Sequence, residues 1–406
     1  MRRGSRKIAA LMSVALLAGA LISAAGPAKA QAELNVLNGF PLFEAAGGAP
    51  ADGMRFYAPE LNVHQGDTIN FQWAGFHTAT AIPAGQEAND WVAANASDFG
   101  QPYFQLLADP DDTGLDPGSS AAKPAVKFNT AILLPSDFTC GTPANPCSYD
   151  GGGVVNSGLP LAEDAESFSI SVDAAPGTSF WVICLLHPNM QLKINVVPGG
   201  EDATTQAEID TYADATVATD AAEAAELHNQ LKNRRVKRNG AWQAWGGVDG
   251  DGFALLGMYP KKLRIKKGDR VRWRFDRLPF EIHTVSFPRK RALQIARGDF
   301  VPSCDPDGDV GPGPDGPPEI EGPPFCNDLS QLEFELQPRS MYRYGNGKFT
   351  GNRDFETSGV EGDFGLSTDP YALKFTKRSK KKGFKYVCII HGRFMSGTVV
   401  VKPKKR

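Results

Sequence analysis

The chain repeats one strand-turn-strand pattern about 200 residues apart. Residues 61–73 (LNVHQGDTINFQW) alternate apolar and polar side chains around a Gly-Asp pair, and residues 263–273 (LRIKKGDRVRW) do the same 202 positions later. Alternation with a period of two is typical of half-buried β-strands, and the Gly-Asp pair marks the bend between them. A repeat of this length predicts two domains of one type in tandem.

Histidine and cysteine recur at matching places in the two halves. A His-Thr pair follows each pattern, at His77 and at His283. Near the end of each half an apolar strand runs into a cysteine, Cys184 or Cys388, and a second histidine follows three residues later. The upstream histidines are 206 positions apart and the cysteines 204. This agreement supports the interpretation of a doubled domain.

Composition narrows the fold class. The 406 residues include 43 Gly and 30 Pro, which favours many short strands and turns over long helices. The glycines have no period of three, which excludes collagen. With 41% hydrophobic and 22% charged residues, the chain is neither a disordered polyelectrolyte nor a multi-span membrane protein, and it is long enough for two domains with full cores.

The first thirty residues have the composition of an export signal. Basic residues at positions 2–7 precede an apolar stretch at 8–25 and a small-x-small site (AKA) at 28–30. An uncleaved membrane anchor is the alternative. No later stretch reaches the ~20 apolar residues that a spanning helix needs. We therefore expect a secreted or periplasmic protein with no membrane span after signal cleavage.

The remaining chain divides into three parts. We predict one domain at residues 31–198, a helical linker at 199–240 and a second domain at 241–406. Residues 202–231 contain no Gly or Pro, Thr205 and Glu208 fit a capping box, and basic residues follow at 232–235. These features predict the helix of the linker.

The two halves carry opposite charge. Residues 31–198 hold 4 Lys/Arg against 18 Asp/Glu, whereas residues 241–406 hold 29 against 20. An acidic domain joined to a basic one predicts a different docking partner for each, or two merely solvated surfaces. We expect no nucleic acid as a partner.

The six cysteines are of two kinds. Cys140 and Cys147 bracket a short loop rich in Gly and Pro, and Cys304 and Cys326 bracket a longer loop rich in Asp, Pro and Gly. In an exported protein such pairs predict disulfides. The other two cysteines lie at strand ends beside histidine, and buried free thiols are disfavoured outside the cell.

The residues after these two cysteines complete a doubled ligand set. The first loop reads CLLHPNM (184–190) and the second CIIHGRFM (388–395). With the upstream histidine, each half offers two imidazoles, one thiolate and one thioether, a set that binds copper as both Cu(I) and Cu(II). The alternative is that one domain keeps the fold but has lost copper. The candidate ligands are His77, Cys184, His187 and Met190 in the first half and His283, Cys388, His391 and Met395 in the second.

Both halves resemble cupredoxins, the blue copper family. The first ligand loop is similar to the short loop of amicyanin, and the second is one residue longer, intermediate between that loop and plastocyanin's. The resemblance covers the strand pair, the upstream histidine and the ligand loop of each half, but not the loops at about 85–135 and 288–350. It implies an all-β fold of two tandem Greek-key β-sandwiches joined by an α-helical linker.

The resemblance also implies roles for single residues. Two type 1 copper sites would each use the imidazoles and the thiolate as strong ligands and the methionine as the axial one. Thr78 and Thr284, after the upstream histidines, would brace the thiolates. The rings of His187 and His391 would present an edge to a docked partner.

Absent residues bear on the enzyme question. Multicopper oxidases and copper nitrite reductases place a histidine beside the blue-site cysteine, but here aliphatic residues flank both cysteines and no His-x-His pair occurs. His64 and His228 remain, and we expect both to be solvated. The sequence therefore predicts a carrier of single electrons rather than an enzyme, with redox proteins as its partners. The alternatives are a copper-buffering protein and an envelope scaffold that has lost one or both sites.

Overall fold

The computed structural model describes residues 31–95, 106–114, 123–128, 130–160, 166–187, 189–275, 281–296, 301–303, 333–336, 341–351, 354–360 and 370–403. The predicted signal at residues 1–30 and the predicted Cys304–Cys326 disulfide lie outside these residues. Gln31–Arg406 form one compact unit. None of the helices in the described ranges has the length and apolar character that crossing a membrane requires.

The described part of the chain is mostly β-sheet. The strands of the first half are β1 (Glu33–Phe40), β2 (Ala51–Tyr57), β3 (Leu61–Val63), β4 (Thr68–Trp73), β5 (Thr80–Ala81), β6 (Leu106–Gly114), β7 (Lys123–Phe128), β8 (Cys147–Tyr149), β9 (Val155–Asn156), β10 (Ser167–Val172), β11 (Ser179–Ile183) and β12 (Gln191–Val196). Those of the second half are β13 (Lys237–Arg238), β14 (Ala241–Asp249), β15 (Phe253–Tyr259), β16 (Lys262–Lys266), β17 (Arg270–Arg274), β18 (Ser286–Phe287), β19 (Val301–Ser303), β20 (Glu333–Leu336), β21 (Lys348–Phe349), β22 (Glu356–Thr357), β23 (Tyr371–Phe375), β24 (Phe384–Cys388) and β25 (Gly392–Lys402). The helices are α1 (Ala88–Ala94), α2 (Thr130–Leu133), α3 (Gln206–Leu231) and α4 (Arg289–Ala296).

The repeated sequence pattern forms the same strand pair in each half. It gives β3 and β4 in the first half and β16 and β17 in the second. In β3, Leu61 and Val63 are buried while Asn62 is exposed, and β16 alternates in the same way. The predicted period of two is therefore confirmed at these strands.

Each half packs two sheets around its own apolar core. In the first half, strands β1, β2, β4, β8 and β10 face a sheet of order β3-β12-β11-β5-β9. In the second half, the facing sheet has the order β16-β25-β24-β18-β22. Phe71 and Phe180 are fully buried in the first core, and Trp273 and Phe287 in the second. These large side chains hold the two layers of each half together.

One sheet runs through both halves. Strand β2 pairs antiparallel with β15, with Gly53 opposite Phe253 and Asp52 opposite Ala254, so that one eleven-stranded sheet results. The insertions of the two halves also pair, because β7 aligns with β20 in a four-stranded sheet. The two halves therefore share backbone hydrogen bonds in addition to the covalent connection through α3.

Helix α3 lies where the sequence predicts a helix. The hydroxyl of Thr205 accepts a hydrogen bond from the Glu208 backbone N–H, and the Glu208 carboxylate accepts one from the Thr205 backbone N–H at 2.8 Å. In mid-helix, the buried carboxylate of Asp220 lies 3.3 Å from Arg55 Nε and accepts a hydrogen bond of 3.1 Å from the Tyr57 hydroxyl, both on β2. The helix also packs on residues of both halves. Its buried Ala221, Ala224 and Leu231 share a cluster with Leu42, Phe253 and Tyr259.

The first predicted disulfide is confirmed. Cys140 and Cys147 are joined by an S–S bond of 2.02 Å, and Cys147 begins β8 at the edge of the eleven-stranded sheet. The bond closes the short Gly- and Pro-rich loop that the sequence singled out.

Candidate metal centre

The first centre forms where β11 ends. Cys184 follows the last residue of β11, and a tight turn carries His187 before β12 begins. His77 reaches the same point from the segment before β5. The Nδ1 atoms of His77 and His187 lie 2.8 Å apart, and Cys184 Sγ lies 3.4 Å from His187 Nδ1. All three side chains are buried, and their donor atoms lie within 4.8 Å of one another.

The second half builds the same group. His283 Nδ1 lies 3.3 Å from His391 Nδ1, and Cys388 Sγ lies 3.5 Å from His391 Nδ1. The donor atoms again lie within 4.8 Å of one another. Across the described residues, these two are the groups in which three or more metal-binding side chains come so close. Two imidazoles and one thiolate fit copper, since sulfur favours Cu(I) and imidazole suits both oxidation states.

The surroundings of each cysteine favour its thiolate. Burial alone would raise the pKa of the Cys184 thiol, but the rings of His187 and His77 outweigh burial and hold that pKa well below its usual range. The same holds for the pKa of Cys388 beside His391 and His283. The thiolate is the form that binds metal, so each centre is prepared for an ion.

The threonine after each upstream histidine contacts the cysteine. The backbone N–H of Thr78 donates to Cys184 Sγ at 3.4 Å, and that of Thr284 donates to Cys388 Sγ at 3.3 Å. The Thr78 hydroxyl accepts a hydrogen bond from the Leu185 backbone N–H at 2.8 Å. The expected contact with the sulfur is therefore made by the backbone, while the threonine side chain fixes the ligand loop.

A buried chain of polar side chains continues from this threonine. Thr78 Oγ1 lies 3.3 Å from Thr80 Oγ1, which donates to Asn156 Oδ1 at 2.8 Å. The second half repeats the chain through Thr284, Ser286 and Thr357, with distances of 3.2 and 2.7 Å. These hydrogen bonds restrain both ligand loops from behind.

A third internal repeat was missed in the sequence. Residues 156–159 (NSGL) and 357–360 (TSGV) stand 201 positions apart. The hydroxyl of Ser157 accepts a hydrogen bond from the Ala79 backbone N–H, and that of Ser358 from the Val285 backbone N–H, each at 2.8 Å. Each serine therefore holds the segment that follows a ligand histidine. The matching Ser-Gly pairs at 157–158 and 358–359 could have revealed this repeat from the sequence.

The two candidate axial residues are buried with the cysteines. Met190 lies in the same apolar cluster as Cys184, and its backbone carbonyl accepts a hydrogen bond of 2.9 Å from the Cys184 backbone N–H. Met395 shares a cluster with Cys388. Both methionine side chains are therefore excluded from solvent.

A glycine packs closely against the ring of each upstream histidine. Gly39 in β1 and Gly247 in β14 have φ angles of +79° and +80°, at a register shift in each strand. A Cβ at either position would lie 2.1 Å from Nε2 of His77 or of His283. The two Nε2 atoms are buried and have no hydrogen-bond partner. Sequence reasoning missed both glycines, although they stand 208 positions apart in the repeated region.

The loop histidines of the two centres meet at one acid. Glu281 Oε1 lies 3.1 Å from His187 Nε2, and Glu281 Oε2 lies 3.3 Å from His391 Nε2. Burial alone would raise the pKa of Glu281, but the two rings hold it well below its usual range. Sequence reasoning also missed Glu281. Glu281 stands two residues before a ligand histidine, and the equivalent position in the first half is Gly75. A comparison of the two repeats could have singled out this acid.

This contact corrects one expectation. His187 is only 3% exposed, so its ring does not present an edge to a docked partner. The exposed rings next to the centres belong instead to Phe76, which is 54% exposed and precedes His77, and to Phe394, which is 52% exposed and precedes Met395.

A second acid faces the first centre. Asp52 lies on β2, and its Oδ1 atom is buried without a hydrogen-bond partner. Burial raises the pKa of Asp52 to about 6, with Glu281 raising it further and His77 and His187 opposing. The region between the two halves therefore holds two carboxyl groups beside the candidate ligands.

The two remaining histidines make other contacts. His64 Nε2 lies 3.0 Å from the Glu201 carbonyl oxygen, and His228 Nδ1 lies 3.0 Å from the Tyr259 hydroxyl. Both are partly buried rather than fully solvated as the sequence suggested. Neither belongs to a candidate metal group in the described part of the chain.

The chain matches no protein-family profile and no curated protein. Among solved structures it is similar to the blue copper protein auracyanin A from Chloroflexus aurantiacus, with 16% identity over 41% of this chain and 99% of that one and a TM-score of 0.19. It is also similar to a copper-containing nitrite reductase from Thermus scotoductus SA-01, with 13% identity over 92% of this chain and 68% of that one and a TM-score of 0.19. A multicopper oxidase aligns with 11% identity over 92% of this chain and 88% of that one and a TM-score of 0.17. Because TM-scores this low carry no argument, the interpretation of the two centres rests on their own donor groups.

Proposed function

We propose that this chain is an exported two-domain blue copper protein of the cupredoxin type that carries single electrons through two type 1 copper sites. The observation that carries the proposal is the doubled, buried His-Cys-His group, with all donor atoms of each group within 4.8 Å. His77, Cys184 and His187 hold one ion and His283, Cys388 and His391 the other. Met190 and Met395 would each supply a weak further ligand. The sequence resemblance to cupredoxins supports the same assignment.

Copper bound by such a set changes between Cu(I) and Cu(II). The chain itself holds the ligands in fixed positions and excludes solvent from them. Backbone N–H groups stabilise both thiolates, buried hydroxyl chains hold both ligand loops, and apolar residues exclude water. Ligands held in this way move little when the charge of the ion changes, which suits rapid electron exchange.

The electrons pass through the exposed phenylalanine next to each centre. Phe76 belongs to the first half, and Phe394 belongs to the ligand loop of the second. The ring of Phe394 also lies 6.3 Å from that of Phe43, so an aromatic surface spans both halves. Small redox proteins dock there, guided by the acidic charge of the first half and the basic charge of the second.

Copper buffering outside the cytoplasm is the second candidate. The observation that favours it is the burial of His187, which closes the most direct route for an electron from the first centre to a partner. A buffer needs tight binding and no rapid exchange. A carrier needs both oxidation states to be accessible to a partner.

The decisive experiment is visible and EPR spectroscopy of the purified, copper-loaded protein, with a copper count per chain. We expect two coppers per chain and an intense thiolate-to-Cu(II) band. C184S and C388S should each remove about half of that band. Fast electron exchange with small redox proteins supports the carrier, and slow exchange at full copper loading supports the buffer. If neither substitution changes the spectrum, the ligand assignment is wrong.

A further inference from the structure

We propose that Glu281 couples the two metal centres. In this proposal, the two oxygens of one carboxylate hold His187 and His391, so that the state of one centre changes the copper affinity and reduction potential of the other. The inference rests on the proposed binding of copper at both centres. It adds that the two centres do not act independently.

The geometry gives each histidine its own oxygen. Oε1 of Glu281 lies 3.1 Å from His187 Nε2, and Oε2 lies 3.3 Å from His391 Nε2. The Glu281 side chain is 18% exposed and that of His391 15%, while His187 is buried. Solvent therefore screens these contacts only weakly, and electrostatic effects between them are larger than at a free surface.

The protonation states are compatible with metal at both centres. Each loop histidine turns Nδ1 towards its cysteine, at 3.4 Å for His187 and 3.5 Å for His391. A histidine that binds a metal through Nδ1 carries its proton on Nε2 and donates it. A carboxylate can accept one such hydrogen bond on each oxygen and keep its negative charge. The carboxylate of Glu281 therefore serves both ligands at once, and such an acceptor raises the basicity of a ligand histidine.

Sharing one charge makes the centres compete. With Cu(II) at one centre, the Nε2–H of that centre's loop histidine would become more acidic and would form a stronger hydrogen bond to the carboxylate. Less negative charge then remains for the other histidine, which stabilises Cu(II) less well at the second centre. Oxidation of either centre is therefore expected to raise the reduction potential of the other, with no proton gained or lost.

The first half has no equivalent acid. Position 75 of the first half is equivalent to position 281 of the second, because each precedes its upstream histidine by two residues. At Gly75 an added Cβ would lie 2.5 Å from His77 Nε2, so a side chain there would collide with the ligand. A single carboxylate, supplied by the second half, therefore contacts both loop histidines.

The test compares three variants with the wild-type protein. E281Q keeps the shape of the side chain, but its amide offers a single acceptor oxygen, so one histidine loses its acceptor. E281A removes both acceptors. E60Q is the control, since it removes the same charge from a 53% exposed side chain that pairs with Lys193 at the surface of the first half. C184S and C388S supply proteins with one empty centre.

The measurement is a spectroelectrochemical titration of the copper-loaded proteins, with copper affinity determined by chelator competition. Loss of an acceptor next to a ligand typically costs 10–100-fold in metal affinity. A tenfold loss for Cu(II) alone raises a one-electron potential by ~59 mV. We expect such an increase at both centres in E281A and at one centre in E281Q, and none in E60Q.

The coupling itself is measured by emptying one centre. In the wild-type background, the potential of the first centre should be lower in C388S than in the fully loaded protein, and that of the second lower in C184S. In the E281A background this difference should shrink. If E281A does not fold, the same comparison in the E281Q background decides the question, because one carboxylate no longer serves both histidines there.

Two results would overturn the inference, and they are distinguishable. In the first result, wild type and E281Q both bind two coppers, and each centre has the same potential in both proteins. This result contradicts the role of Glu281 and leaves the copper assignment intact. A wild-type protein without a thiolate-to-Cu(II) band contradicts the proposed function and this inference together.

Discussion

Gly247 lies so close to the ring of His283 that a Cβ at this glycine would be 2.1 Å from Nε2 of the histidine. Gly39 has the same relationship to His77 in the first half, and both glycines have positive φ angles. The missing side chain thus lets the backbone of β1 or β14 cover the edge of a ligand ring. This close approach explains why a glycine stands inside each strand.

G247A should therefore remove the second centre and spare the first. An L-residue at this φ costs about 1–2 kcal/mol, and the new methyl group displaces His283 in addition. The copper count should fall from two per chain to about one. G268A is the matched control, because Gly268 has a φ of +94° but no neighbour within 4 Å of an added Cβ. Equal copper counts in G247A and G268A would contradict the steric argument.

Asp52 should make the stability of the copper-free protein depend on pH. Its pKa is raised to about 6 by burial, whereas that of an unfolded aspartate is about 3.9. Between these values the folded protein holds a proton that the unfolded chain has released. The contribution of Asp52 to the free energy of unfolding should therefore fall by about 3 kcal/mol as pH rises from about 4 to about 6.

Denaturant unfolding of copper-free wild type and D52N at several pH values checks this. The difference in free energy of unfolding between wild type and D52N should change with pH through this window, since asparagine has no proton to lose. D202N, at an exposed position, should follow the wild type. A D52N curve parallel to that of the wild type through this window would show that Asp52 is not the responsible group.

Phe76 and Phe394 should serve docking rather than copper binding. Truncation of a hot-spot side chain at an interface costs about 1–2 kcal/mol or more, and we expect both rings to be hot spots, so F76A and F394A should each weaken binding of a redox partner about tenfold. The visible spectrum should not change, since neither ring is a ligand. Stopped-flow electron transfer measures the effect. F138A is the control, because Phe138 is equally exposed but precedes the Cys140–Cys147 loop. An equal loss of rate in F138A would contradict a specific surface.

Copper-loaded protein should not reduce oxygen or nitrite. Such reactions need a further copper with an open position. Of the six histidines, the two outside the candidate centres contact a backbone carbonyl and a tyrosine hydroxyl. Steady-state assays with both substrates check this expectation. Copper-dependent turnover of either substrate would contradict the electron-carrier proposal and indicate an enzyme.

Much of each candidate centre could be predicted from sequence because its pattern is local. Cys184 and His187 are three positions apart in one turn, and the cysteine ends a strand whose alternation is visible in the sequence. His77 needed the internal repeat, since it lies far from Cys184 along the chain. The structure brings these side chains together as the repeat predicts.

The contacts between the halves could not be predicted in this way. Glu281 touches a histidine 94 positions away, and Gly53 pairs with Phe253 200 positions away. Neither contact has a local signature, because a carboxylate or a strand edge looks the same in the sequence whichever partner it meets. The expectation that the ring of His187 faces a docking partner was wrong for this reason.

The sequence by itself determined the repeated strands, the helix at Gln206–Leu231, the Cys140–Cys147 disulfide and the two sets of candidate ligands. Side-chain periodicity, capping and short ligand spacing act over a few residues, so they leave a direct record in the order of amino acids. Only the tertiary structure decided that one sheet joins the halves and that Glu281 contacts both loop histidines. Those features depend on which strand edges meet and on how closely two backbones approach, and these distances are set by the packing of the whole molecule.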